Sequence, residues 1–119
     1  MHAKTRAMDL PRLVDAHIEG FNRAVVSGNF DEMVAHFTER ATMSFEGVPV
    51  GPFHGREQIA AAYAARPPDD QLRVLEVLRQ EADSMDLSYA WTAAPDRRAG
   101  TMTIERDGDL ISGLVVRFE

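Results

Sequence analysis

A chain of 119 residues, 45% hydrophobic and 27% charged, is one ordinary globular domain, long enough to bury roughly two-thirds of its unfolded surface. A net charge of −6, with Arg97-Arg98 the one adjacent basic pair, excludes a nucleic-acid binder that works through massed cations. The absence of cysteine excludes disulfides, thiolate nucleophiles and cysteine metal sites, and no segment reaches the roughly 20 apolar residues of a membrane span.

Residues 1–8 show no clear periodicity and are expected to be disordered. They lack the apolar stretch of a signal peptide, so a cytoplasmic location is expected. Lys4 is the one lysine among thirteen basic residues, and with abundant alanine this points to a GC-rich bacterial source. Asp9 is placed to cap a first helix, with Pro11 tolerated in its first turn. Leu10, Leu13, Val14, His17, Ile18, Phe21 and Val25 then recur at helical spacing as one apolar stripe. Gly28 supplies the stop, because glycine accepts the left-handed conformation that ends helices. Asn29 is expected to cap a short second helix carrying Met33, Val34 and Phe37, with Asp31 and Glu32 in its favourable first turn.

After Arg40 the period changes to two. Met43 and Phe45 alternate with Thr42, Ser44 and Glu46, as in a strand with two unlike faces. The glycine- and proline-rich stretch from Gly47 to Gly55 is a shaped loop. Arg56 to Arg66 is an alanine-rich helix with Ile59 and Tyr63 one turn apart, broken by Arg66-Pro67-Pro68-Asp69-Asp70. The second half reads as an antiparallel meander with strands over 72–78, 87–92, 100–105 and 110–118, the last two joined through an Asp107-Gly108 hairpin. Helices first and strands after, with one strand between helices two and three, is an α+β pattern.

The run Ser27-Gly28-Asn29-Phe30-Asp31, the strand ending at Phe45 and the loop Gly51-Pro52-Phe53-His54-Gly55 opening a third helix resemble the nuclear transport factor 2-like superfamily. That superfamily includes the ketosteroid isomerases and the SnoaL-like polyketide cyclases. The resemblance covers about residues 9–118 and implies a single SnoaL-like domain over 9–119. Its α+β fold would be a cone-shaped barrel of curved antiparallel sheet wrapped around three N-terminal helices. It also implies a homodimer through the sheet. Counted outward from Gly28, the isomerases' oxyanion-hole tyrosine falls on Phe21, their aspartate base on Phe45 and their protonated aspartate near Met102. A supporting tyrosine is kept as Tyr63. That chemistry needs a carboxylate to move a carbon-bound proton and donors to hold the enolate oxygen. Phe21, Phe45 and Met102 supply neither, so steroid isomerisation by that route is not expected.

Three other residues are candidates for chemistry. His17 lies one turn before Phe21 on the same face, and in an apolar pocket its neutral form would be favoured, as a general base needs; the competing role is a core histidine. Glu46 would enter the pocket on a one-residue register change, or else stay solvated at the strand end. Arg117 depends on the hairpin. A tight Asp107-Gly108 turn sets Ile104 against Ile111 and Met102 against Gly113, turning Val115 and Arg117 inward, where a guanidinium could hold an oxyanion by a forked contact. A bulge turns Leu114, Val116 and Phe118 inward instead. On the tight register Thr101, Thr103, Leu114, Val116 and Phe118 form a convex patch for the partner subunit. His54 is read as structural, and His2 and His36 show no partnering pattern, so neither metal nor cofactor is expected.

The leading reading is a pocket for a small hydrophobic molecule, lined by Phe21, Phe45, Trp91 and Met102, with Tyr63 and His17 supplying hydrogen bonds. The alternatives are an isomerase, cyclase or hydrolase using His17 or Glu46 as base, and a protein–protein module with a closed core.

Overall fold

The structure is a computed structural model and describes residues 8–119. The disorder expected over residues 1–8 falls outside the described residues except at Met8. There the backbone N–H donates to Asp109 Oδ1 and the carbonyl accepts from the Arg106 guanidinium.

Helix α1 (Leu10–Ser27) begins and ends as its sequence dictates. The Asp9 carboxylate accepts the Arg12 N–H at 3.1 Å, and Gly28, at φ 79°, returns its N–H to Ala24 O at 2.7 Å. Helix α2 (Asp31–Ala35) is shorter than expected. Phe30 takes the cap position with no side-chain bond, while Asn29 Oδ1 accepts the Asp31 N–H at 2.9 Å. Phe37, expected on this helix, instead opens strand β1 (Phe37–Glu46). The reason lies far along the chain: Phe37 pairs with Ile111, and the Ile111 N–H donates to His36 O at 2.8 Å.

The two-residue strand β2 (Phe53–His54) and helix α3 (Arg56–Ala65) follow, then β3 (Leu72–Gln80), β4 (Ser84–Trp91), β5 (Gly100–Asp107) and β6 (Leu110–Phe118). The six strands form one curved, open sheet in the order β2-β1-β6-β5-β4-β3. All neighbours are antiparallel except β1 and β6, which run parallel. The three helices cover its concave face, α1 against α2 and β3, α3 against β1, β2 and α2. Among the described residues no helix is long and apolar enough to cross a membrane.

The β5–β6 hairpin corrects the tight register. Asp107 pairs with Leu110, so the turn residues are Gly108-Asp109. Glu105 then faces Gly113 while Arg106 faces Ile111, leaving Ser112 as the extra residue of a bulge. Beyond it Ile104 faces Leu114 and Met102 faces Val116. The gain is physical. Ile111 before the bulge and Leu114 and Val116 after it are all buried on the concave side, whereas unbroken alternation from Ile111 would have driven the Arg117 guanidinium inward. At the far end Gly100 opposes Phe118 so closely that a Cβ there would lie 1.8 Å from Arg117 O, which only glycine avoids.

Candidate ligand-binding site

Between the helices and the concave face lies a cavity of about 520 Å³. Its lining comes from every layer: His17 and Phe21 of α1, Met43 and Phe45 of β1, Tyr63 and Arg66 from α3 and its end, Tyr89 and Trp91 of β4, Met102 of β5, and Leu114, Val116 and Phe118 of β6. Pro49 and Val50 of the 47–55 loop, Phe53 of β2, Ala62 and Ala65 of α3, Pro68, and Leu72 of β3 complete it. Strand alternation explains the apolar character, since every second residue of β1, β4, β5 and post-bulge β6 faces this side.

Polar side chains hold the walls rather than fill the space. The Asn22 amide acts as a surrogate strand, donating to Leu72 O at 2.9 Å and accepting the Leu72 N–H at 2.8 Å, which ties α1 to the start of β3. Arg56 anchors α3 to β1 by donating twice to Phe37 O, at 2.7 and 3.1 Å. Asp70 accepts from the Thr92 hydroxyl at 2.6 Å and from the Ala93 N–H at 3.1 Å, fastening the segment that follows Trp91. The Thr92 hydroxyl is the main cause holding the Asp70 carboxyl below its usual range. Tyr89 donates to Arg117 O at 3.3 Å, and burial first, with the Glu119 charge second, pushes its phenol up to about 12.

Two lining residues carry unspent polar capacity. His17 is 4% exposed, packs edge-on against Phe37 at 5.7 Å, and its Nδ1 is buried without a hydrogen-bond partner among the described residues. Burial, helped by nearby His36, lowers its pKa to about 4, so the ring is neutral near pH 7. Tyr63 stacks on Phe30 at 4.9 Å and 8°, and burial pushes its phenol well above the ordinary range. It is therefore a protonated donor throughout the physiological range.

Of the residues singled out in the sequence, His17, Phe21, Phe45, Tyr63, Trp91 and Met102 converge on this cavity. Glu46 and Arg117 do not. Because β6 is bulged, Arg117 lies on the convex face, its Nε 3.2 Å from Glu46 Oε1 and its Nη1 donating to Thr103 Oγ1 at 2.9 Å. Thr103 in turn donates to Asp86 at 2.7 Å, and Arg79 lies 3.6 Å from the same carboxylate. The expected convex patch changes accordingly: Thr103 belongs to this polar chain, while Leu114, Val116 and Phe118 line the cavity. Arg66 was legible only as part of a helix-breaking sequence, yet it is the one Asp, Glu, Lys or Arg in the lining among the described residues.

Comparison with known proteins fixes the family. A family model described as a SnoaL-like domain matches residues 18–112. The chain belongs to the SnoaL-like domain family. No curated protein matches the sequence. Among solved structures, an NTF2-like protein from Anabaena variabilis is 15% identical with a TM-score of 0.69, over 99% of this chain and 96% of that one. A putative isomerase from Bacillus subtilis is 11% identical with a TM-score of 0.71, over 94% and 90%. A Mycobacterium tuberculosis protein in complex with estradiol-17β-hemisuccinate is 13% identical with a TM-score of 0.67, over 87% and 92%. At these identities the likeness establishes that this SnoaL-like chain shares their fold, and nothing about activity.

Proposed function

We propose that this SnoaL-like domain binds a small, predominantly apolar organic molecule in the cone, with His17 and Tyr63 as its hydrogen-bonding partners. The observation that carries this is the cavity itself, about 520 Å³ lined mostly by apolar side chains, with His17 and Tyr63 on its wall. The volume falls in the range of roughly 300–1,000 Å³ typical of small-molecule sites, which weighs against a closed-core interaction module. The steroid conjugate held by the mycobacterial neighbour supports a ligand of this general kind.

The domain is proposed to lack the isomerase acids, since no Asp or Glu lines the cavity among the described residues. Catalysis would then have to rest on His17, because Glu46 pairs with Arg117 on the other face. Its low pKa makes it a weak base, and binding is the reading we favour. The proposal includes a cytoplasmic, bacterial protein and a homodimer through the convex sheet face. That face is polar, so the interface would be hydrogen-bonded, and a monomer in sedimentation at micromolar concentration would remove this part.

The test is thermal-shift titration with steroid, polyketide and terpenoid probes. A ligand at 100 times its Kd stabilises by about 2.7 kcal/mol, a melting-temperature rise of roughly 10 °C for a domain of this size. The rise should saturate and be lost in Val116→Phe, which fills the cavity. No saturable shift with any of the three classes would sink the proposal.

A further inference from the structure

The geometry points to an anionic amphiphile as the ligand class: an apolar body in the cone and one oxyanion end held at the mouth by Arg66. This deepens the binding reading above and rests on it. Arg66 caps the C-terminal end of α3, its N–H donating to Ala62 O at 3.1 Å, and it reaches the cavity beside Ala65 and Pro68. Its guanidinium takes part in none of the seven ion pairs found among the described residues. The nearest acids in sequence do not claim it. Asp70 directs its oxygens to Thr92, Ala93 and the Gln71 N–H, and Asp69 is exposed without an ion pair.

The result is a single formal cation at the rim of an apolar cavity, in a protein whose net charge is −6. Arg66 is exposed, so an oxyanion that reaches it is bound by charge-assisted hydrogen bonds that water and salt partly screen. A neutral ligand of the same shape gains nothing there.

The competing role for Arg66 is a cation placed favourably at a helix C-terminus. That role predicts lost stability on substitution and no change in ligand selectivity, so the two separate experimentally. The probes are 8-anilinonaphthalene-1-sulfonate and N-phenyl-1-naphthylamine, the same aromatic framework with and without an anionic group. Both are titrated by fluorescence into the wild type, Arg66→Gln and Arg66→Lys. We expect both probes to bind and to displace each other. The wild type should prefer the sulfonate, with a preference that falls as salt is added. Arg66→Gln should lower the sulfonate-to-neutral affinity ratio by about two- to five-fold while leaving the neutral probe's Kd unchanged within error, and Arg66→Lys should restore most of the ratio. If neither probe binds, the cavity-binding reading fails and takes this inference with it. If the neutral probe binds but the ratio is the same in Arg66→Gln, or the two probes do not compete, the anionic-ligand inference alone is overturned.

Discussion

The two faces of this one sheet solve the same problem in opposite ways. On the convex face Glu46, Arg117, Thr103, Asp86 and Arg79 form a chain of ion pairs and hydrogen bonds across β1, β6, β5, β4 and β3. Each member of that chain has its partner within the molecule. On the concave face the residues between them in sequence are apolar, enclose about 520 Å³, and leave His17 Nδ1 without a partner. A face that satisfies its own hydrogen bonds gains little from a small ligand. A face that holds an apolar volume gains a great deal. That contrast, more than any motif, is why the function is assigned to the inside of the cone.

The sharpest way to break the contrast is to place the same charge on neighbouring positions of β6. Leu114 is 2% exposed on the cavity side and Val115 is half-buried on the other. Leu114→Asp buries an unpaired carboxylate and should destabilise by about 4 kcal/mol or more, enough to unfold a marginal domain. Val115→Asp should cost about 1 kcal/mol, with its carboxylate free to find water. Urea denaturation followed by circular dichroism reads both. The tight register without the Ser112 bulge predicts the reverse order, so equal or inverted losses would overturn the placement of the two faces.

Much of this arrangement was legible in the sequence, and the parts that were not share a physical cause. The stripe from Leu10 to Val25, the stop at Gly28 and the alternation of Met43 and Phe45 are local signals, and each describes the structure correctly. The start of β1 at Phe37 was not legible, because its parallel partner Ile111 lies at the other end of the chain. The facing of β6 was ambiguous for a different reason. Leu114, Val115, Val116 and Phe118 are apolar on both faces, so alternation alone cannot say which set turns inward. Periodicity is equally blind to whether Phe21, Phe45, Trp91 and Met102 touch one another or surround a space. Arg66 was read through the prolines after it, as the end of a helix, because a side chain's place on a rim appears only once α3 is docked.

A second test concerns His17 and has a pH signature. Its pKa in the fold is about 4, against an ordinary value of 6.5, because burial and then His36 disfavour the imidazolium. Above pH 6.5 both folded and unfolded states hold it neutral, and protonation contributes nothing. Between pH 6.5 and 4 the unfolded chain takes up the proton while the folded chain resists. Stability is lost as pH falls through this window, by about 3 kcal/mol on reaching pH 4. His17→Leu should be flatter than the wild type by that amount over the same window, whatever the other groups do. At pH 7 it should be as stable or more so by about 1 kcal/mol, since it replaces an unsatisfied polar atom with an apolar group of similar size. Parallel acid slopes in the two proteins would mean that His17 is solvated or partnered in the fold.

The smallest effects are expected on the convex face, and their smallness is itself the test. The Arg117 and Glu46 side chains are 37% and 61% exposed, so water and salt screen their attraction strongly. At concentrations low enough to keep the chain monomeric, a double-mutant cycle of Arg117→Ala and Glu46→Ala should return a coupling energy under about 0.5 kcal/mol that vanishes in 1 M salt. Thr103→Val should have a somewhat larger effect, about 1 kcal/mol, because it removes the bond to Asp86 and the one from Arg117 together. Neither change should move the affinity of any ligand held in the cone, since the sheet backbone separates these side chains from it. At higher concentration, where the proposed homodimer forms, a salt-insensitive coupling above about 1.5 kcal/mol would show the convex chain to be shielded from water. That would mean the face is covered in solution, and a second subunit lying on the sheet would then explain why the polar chain is built to satisfy itself.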